Sequence, residues 1–172
     1  MSKSGEFRPV SESQIVLKEL MVPSYENFGG KVHGGVVLSL MDKTASVDKV
    51  DFLNPVEVGE ILTLYSSVNY TGKSSMEIGI RVESENFQTG VIRHTNTSYF
   101  TMVALNRDTK SPEAIPGLLL ESDEEIRRFL EGRLRRKVRK LQRHELEQAR
   151  SEIDYDIDER SLEGESCKIA AG

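Results

Sequence analysis

The chain has 172 residues, 37% of them apolar and 30% charged, with 23 Lys+Arg against 28 Asp+Glu for a net charge of −5. That length supports one core of ordinary size and excludes two typical domains. The negative balance argues against a general nucleic-acid binder held by phosphate neutralisation. One cysteine, Cys167, cannot close an intrachain disulfide. The polar N-terminal residues and the lack of any run near the roughly 18 apolar residues of a spanning helix lead us to expect a cytoplasmic protein without membrane contact. The Asn-x-Ser/Thr matches at Asn69 and Asn96 are then chance occurrences.

The first expected element is a helix that begins at His33-Gly34-Gly35 and runs through Val36-Val37-Leu38-Ser39-Leu40-Met41-Asp42. It has almost no polar face, so it belongs in an interior. After a turn at Glu57-Val58-Gly59-Glu60, Leu62, Leu64, Val68 and Tyr70 alternate imperfectly as a strand. Met76, Ile78, Ile80 and Val82 then alternate cleanly with Ser75, Glu77, Arg81 and Glu83, the pattern of a strand with one buried face. The segment from Val91 to Leu105 is rich in Thr, Val, Tyr and Phe and polar in its middle. Turns at Thr71-Gly72-Lys73-Ser74 and Gln88-Thr89-Gly90 make these antiparallel neighbours. Antiparallel strands around one buried helix constitute an α+β arrangement.

After Leu120 the composition changes. From Ser122 to about Arg150 the chain is dominated by Glu, Arg, Lys and Leu, with Gly132 the sole glycine and no proline, which favours a helix. Ser122 and Glu125 form a capping box at its start, and Ile126, Leu130, Leu134, Val138 and Leu141 form a narrow apolar stripe. The expected organisation is a sheet-and-helix domain over 1–120, a charged amphipathic helix over 121–150 and an acidic, disordered tail over 151–172. The basic residues of the helix surround it instead of gathering on one face, which speaks for a solvated rod and against a nucleic-acid surface. The stripe must be covered, so packing across an oligomer interface or against a sister helix is expected.

The stretch from Asn27 to Asp42 carries the chemistry. Adjacent glycines at a helix entrance admit close approach to the backbone, and the free N–H groups there, with the helix dipole, attract negative charge. An oxyanion hole uses the same physics. Asp42 lies about two turns along the helix, where burial would raise its pKa towards that of a useful general base. The plainer alternatives are tight packing or capping for Gly34 and Gly35, a solvated helix-end residue for Asp42 and a turn residue for Asn27. Three scattered histidines and one cysteine give no metal-ligand spacing.

The order Asn27-x-x-Gly, His33-Gly34-Gly35, Met41-Asp42, then Val50-Asp-Phe52-Leu-Asn-Pro55-Val-x-x-Gly59, Thr71-Gly72-Lys73-Ser74-Ser75-Met76-Glu77 and Phe100-Thr-Met-Val-Ala104-Leu105 resembles the hotdog-fold acyl-CoA thioesterases of the cytosolic acyl-CoA hydrolase type. The resemblance covers about residues 14 to 106. It implies a hotdog fold, in which an antiparallel sheet wraps a central helix, and hydrolysis of acyl-CoA to free CoA and a carboxylic acid, in fatty acid metabolism. It also implies a homo-oligomer, a dimer or trimer of dimers, with active sites between paired subunits. By the same resemblance Asn27 orients the thioester carbonyl or the attacking water, Gly34 and Gly35 polarise the carbonyl, and Asp42 of the facing subunit activates water. The loop Thr71, Gly72, Lys73, Ser74, Ser75 points to the CoA arm, with Lys73 and Arg93 as candidate phosphate contacts. No metal and no cofactor is implied; CoA is part of the substrate. One departure is evident: the family continues the helix for roughly three turns and adds an incoming strand segment, about 15 residues in all, where this chain has only Lys43-Thr44-Ala45-Ser46. Those residues are missing after Ala45, which leaves a second expectation open, a catalytically impaired hotdog protein that binds CoA or serves as an assembly module.

Overall fold

The computed structural model describes residues 6–27, 30–42 and 54–152, with the backbone alone given for Asp42. The stretch 43–53, where the missing segment is expected, and the tail beyond residue 152 lie outside the described residues. In chain order the elements are β1 (Phe7–Pro9), β2 (Ile15–Leu20), α1 (Gly34–Asp42), β3 (Glu60–Thr71), β4 (Ser75–Asn86), β5 (Ile92–Val103), β6 (Gly117–Leu119) and α2 (Asp123–Ser151). Strands β2-β3-β4-β5 form one antiparallel sheet in that order, and β1 pairs in parallel with β6 in a separate two-stranded sheet.

The expected helix and the three long strands are present, each with a local cause. Gly59 and Gly90 take φ values of +89° and +67°, a conformation glycine adopts without steric penalty, and this closes the turns before β3 and after β4. Strand β2, which the sequence pattern did not single out, pairs with β3 along its whole length. It lies at an edge with Ile15, Val16 and Leu20 exposed, which removes the alternation by which strands are recognised.

The core lies on one face of the sheet. Val37, Leu40 and Met41 of α1 cluster with Leu62, Leu64, Ile78, Ile80, Val82 and Phe100 of the strands and with Met21, Val32 and Val56 of the flanking loops. Burial of such side chains contributes roughly 1.5–3 kcal/mol each. At nine residues α1 is too short to be stable by itself, so this contact is what keeps it helical.

The irregular alternation in β3 has a structural origin. A bulge between Val68 and Tyr70 leaves Asn69 without a partner in the register and turns Tyr70 to the face opposite α1, beside Glu77. There the opening turns of α2 cover the sheet: the Phe129 and Tyr70 rings lie 5.0 Å apart, and a Cβ on Gly132 would stand 2.8 Å from Tyr70 Cβ and 2.9 Å from Glu77 Oε1. The one-sided burial expected of β4 is therefore corrected. Glu77 is buried because α2 lies over it. Asn69 and Asn96 are buried too, out of reach of any glycan.

Two compact units divide the chain, 1–133 and 134–172. In the first, α2 starts with one half of the expected capping box: Glu125 N–H donates to Ser122 Oγ at 3.3 Å, while the Glu125 carboxylate accepts from Glu121 N–H at 2.6 Å, one residue before the Ser122 N–H that a full box uses. In the second, the described residues continue the helix with Leu134, Val138 and Leu141 exposed, as Ile126 and Leu130 are in the first.

Replacing Gly132 by Val should cost about 1–3 kcal/mol in urea denaturation, through overpacking against Tyr70 and Glu77; unchanged stability would show that α2 does not approach the sheet this closely. At the helix start, the Arg127 and Arg128 guanidiniums hold the Glu124 carboxyl at about 2, down from 4.5. A depressed folded value means that the contribution is complete above pH 4.5 and is lost as pH falls through about 2. Helix content by circular dichroism should therefore separate Glu124→Gln from the parent above that window and converge below it, the gap shrinking in salt because the group is exposed.

Candidate active site

The entrance to α1 is built by a tight reversal of the chain. Glu26 and Val32 bridge in antiparallel fashion, Asn27 N–H donates to Lys31 O at 2.7 Å, Gly30 N–H to Asn27 O at 3.1 Å and Lys31 N–H to Asn27 Oδ1 at 3.3 Å. Gly30 makes the reversal with φ +75°. Asn27 is thus a turn residue, as its plainer reading held, and it stands seven residues before α1, which the loop enters through Val32 and His33.

His33 caps that entrance. Its carbonyl accepts Val36 N–H at 2.8 Å, and its Nδ1 accepts Gly35 N–H at 3.0 Å. The Gly35 donor expected to face a developing oxyanion is held by an imidazole here, so the ring must turn away before Gly35 can serve a carbonyl oxygen. An open groove of about 450 Å³ lies against this entrance, lined by Tyr25, Glu26, His33, Gly35, Ser39 and Leu40 among others. Asp42 ends the helix, eight residues beyond Gly34 and hence about 12 Å from it.

The CoA-loop candidates lie elsewhere. Thr71–Ser75 is the β3–β4 hairpin turn, with Gly72 N–H on Ser75 O at 2.7 Å; the carbonyls of Lys73 and Ser74 accept Ile115 N–H at 3.1 Å and Ala104 N–H at 2.8 Å. Lys73 is exposed. Arg93 sits near the start of β5, opposite Ser84, and its guanidinium pairs with the carboxylate of Glu60 at the start of β3. Eleven residue steps of β3, about 36 Å of strand, separate that end from the turn. One chain therefore does not bring Lys73 and Arg93 to the same phosphate. Among the described residues no group of three or more His, Cys, Asp and Glu is arranged to hold a metal ion.

Two features escaped the sequence pattern. Glu60 is buried and Asn96 lies beneath Met41, its Nδ2 3.9 Å from the thioether sulfur and 3.4 Å from Ser98 Oγ. Ser84 Oγ, Thr95 Oγ1 and Asn96 Oδ1 are buried without a hydrogen-bond partner among the described residues. The polar middle of β5 was the visible sign of Thr95 and Asn96, whereas Glu60 on β3 and Ser84 on β4 gave none.

A model of the thioesterase superfamily matches residues 43–91. Protein VdlD of Helicobacter pylori is 40% identical over 140 aligned residues that take in 73% of this chain and 79% of that one. An uncharacterized acyl-CoA thioester hydrolase of Bacillus subtilis, YkhA, is 32% identical over 72% of this chain and 80% of its own. An apo-hexameric acyl-CoA thioesterase superposes with a TM-score of 0.74 at 30% identity, over 80% of this chain and 97% of that one. This chain belongs to the hotdog-fold acyl-CoA thioesterases. As a member it is an acyl-CoA thioester hydrolase by family. An acyl-CoA hydrolase of Staphylococcus aureus, solved with butyryl-CoA, CoA and CoA disulfide, superposes at 0.73 with 28% identity over 84% of this chain and 97% of its own. That hydrolase has also been solved with an aspartate, a threonine or an asparagine replaced by alanine.

Two of these alignments contain positions that this chain lacks. With VdlD, 140 aligned positions draw on 73% of 172 residues, about 126, so about 14 positions of the relative have no counterpart here. With the Bacillus subtilis hydrolase the same arithmetic, 139 positions against 72% of 172 residues or about 124, leaves about 15.

A side chain at Gly30 would have to adopt the left-handed conformation, at a cost of about 1–2 kcal/mol. Gly30→Ala should lower the unfolding midpoint accordingly and reduce turnover by loosening the turn that holds Asn27; full turnover with the stability loss would separate the turn from catalysis.

Proposed function

We propose that this thioesterase hydrolyses acyl-CoA at composite sites between subunits, with Asn27 of one chain and Asp42 of the facing chain acting on one thioester. The carrying observation is the separation across α1. Asn27 is tied to the helix entrance and Asp42 stands at its far end, whereas reacting groups must approach within about 3–3.5 Å. A second copy brings the ends together without distorting either. The sheet supports such pairing, since β2 and β5 are its outer strands among the described residues and an unpaired edge is open to another chain. The hexameric state of a solved relative agrees.

Spacing supports the two residues. The asparagine and aspartate replaced in the Staphylococcus aureus hydrolase are fifteen positions apart, as Asn27 and Asp42 are. Its threonine follows the aspartate by seventeen. Here Thr44 follows Asp42 by two, a difference equal to the length missing from this chain, which would set the gap between Asp42 and Thr44, slightly before Ala45.

In the proposed reaction Asp42 accepts a proton from water as it attacks the thioester carbon; collapse of the tetrahedral intermediate breaks the C–S bond, and CoA leaves as the thiol with the proton returned by Asp42. The oxyanion is met by N–H donors at the α1 entrance once His33 has turned from Gly35, and by Asn27. The Thr71–Ser75 turn serves the CoA arm of a site to which a neighbouring chain contributes; Arg93, engaged by Glu60, is left out of that role. No metal or cofactor takes part in this scheme. Among the described residues no helix is long and apolar enough to cross a membrane, and the cytosolic designation of related mammalian hydrolases supports a cytoplasmic placement.

Release of free thiol from acyl-CoA should fall on the order of 10²- to 10³-fold in Asn27→Ala and in Asp42→Ala, with folding retained. Mixing the two inactive proteins under conditions that exchange subunits should restore about a quarter of the parent activity, because half of the dimers are hybrids and each hybrid regains one of two sites. A mixture that stays inactive would place both residues in one chain's site. If the parent itself turns over no acyl-CoA but binds CoA in calorimetry, the impaired binding protein is the correct reading.

A further inference from the structure

Glu60 opens β3 with a side chain only 2% exposed, a position in which a carboxylate is costly unless it is paired and hydrogen-bonded. Both of its oxygens are used. Oε1 meets the Arg93 guanidinium, and Oε2 accepts Glu57 N–H at 3.0 Å. Glu60 N–H returns to Glu57 O at 3.3 Å, so the turn between them is clamped from both ends. Glu57 then faces Lys31 twice, as its antiparallel bridge partner and through an ion pair between side chains; beside them Val32 N–H donates to Val56 O at 2.9 Å. Lys31 is the residue whose backbone brackets Asn27, accepting Asn27 N–H at 2.7 Å and donating to Asn27 Oδ1 at 3.3 Å.

We infer that Glu60, seated by Arg93, is a positioning residue for Asn27, acting through Glu57 and Lys31. The inference rests on the reading of Asn27 as a group that acts on the thioester. An asparagine amide has an acceptor edge and a donor edge. Once Lys31 N–H occupies the acceptor, the orientation of the donor edge follows the Lys31 backbone. The Lys31–Glu57 ion pair is too exposed, at 44% and 35%, to hold a loop by itself. The rigidity comes from the buried end, where Glu60 and Arg93 fix the turn that presents Glu57. Arg93, a candidate phosphate contact by its charge alone, acquires a different role at the opposite end of the strand from the CoA turn.

Glu60→Gln keeps the shape and removes the charge that holds Arg93. In the full-length oligomer with acyl-CoA as substrate, kcat should fall on the order of 10- to 100-fold with KM unchanged, and Arg93→Met should do the same. In an Asn27→Ala background Glu60→Gln should cause no further loss. An equal loss in both backgrounds, or a raised KM with intact kcat in Arg93→Met, overturns the inference, the second by returning Arg93 to the CoA phosphates. Amide hydrogen exchange gives a readout independent of turnover: the Lys31 N–H should exchange faster in Glu60→Gln than in the parent, and unchanged protection also overturns it. Should Arg93→Met not fold, Glu57→Gln at the more exposed link carries the same comparison. Full turnover in Asn27→Ala would sink the catalytic reading of Asn27 instead, and the exchange of Lys31 would still decide whether Glu60 sets the loop.

Discussion

Helix α1 has nine residues, and so short a helix does not persist in water without a partner. It exists because Val37, Leu40 and Met41 are buried against Leu62, Leu64, Ile78, Ile80, Val82 and Phe100. The candidate site hangs on that contact. The helix entrance carries His33, Gly34 and Gly35, its end carries Asp42, and the loop before it carries Asn27. Strands β3, β4 and β5 are twelve residues long, about 40 Å, so α1 at about 14 Å spans only part of their length. In the alignments to two relatives about 14 or 15 positions lack a counterpart in this chain.

The polar groups that border this core are as informative as its apolar residues. A buried carboxylate tolerates its position only where partners are fixed, and Glu60 meets that demand with Arg93 on one side and the Glu57 amide on the other. The same logic holds on the far face of the sheet. There Glu77 is covered by α2, and Gly132 is the residue that lets the helix come so near. The sheet is thus packed on both faces, by an apolar helix on one side and by the start of a charged helix on the other.

The proposed division of the site between chains rests on where the fold puts its parts. Asn27 lies in the loop before α1 and Asp42 at its far end, and the Thr71–Ser75 turn lies a strand's length from Glu60 and Arg93. Each part is firmly held in its own place: Asn27 by Lys31, the turn by Ala104 and Ile115. Rigid pieces so far apart are better united by symmetry than by motion, since an isologous pairing presents the two ends of the helix to each other at no cost in internal strain.

The amino-acid sequence by itself determined the elements whose signals are local. Alternation of Met76, Ile78, Ile80 and Val82 specified β4, the apolar run from Val36 to Met41 specified a buried helix, and Ser122 with Glu125 specified where α2 begins. These are effects of sterics, burial and capping acting over a few residues, and the order of the motifs carried the family with them. Only the tertiary structure decided which ends of those elements meet. The bulge at Asn69 that turns Tyr70 towards Phe129, the burial of Glu77, the pairing of Arg93 with Glu60 and the capture of the Gly35 N–H by His33 depend on register, on a helix folding back over a sheet and on chain reversals. No short window of sequence contains those distances, because they join residues that become neighbours only once the chain has folded.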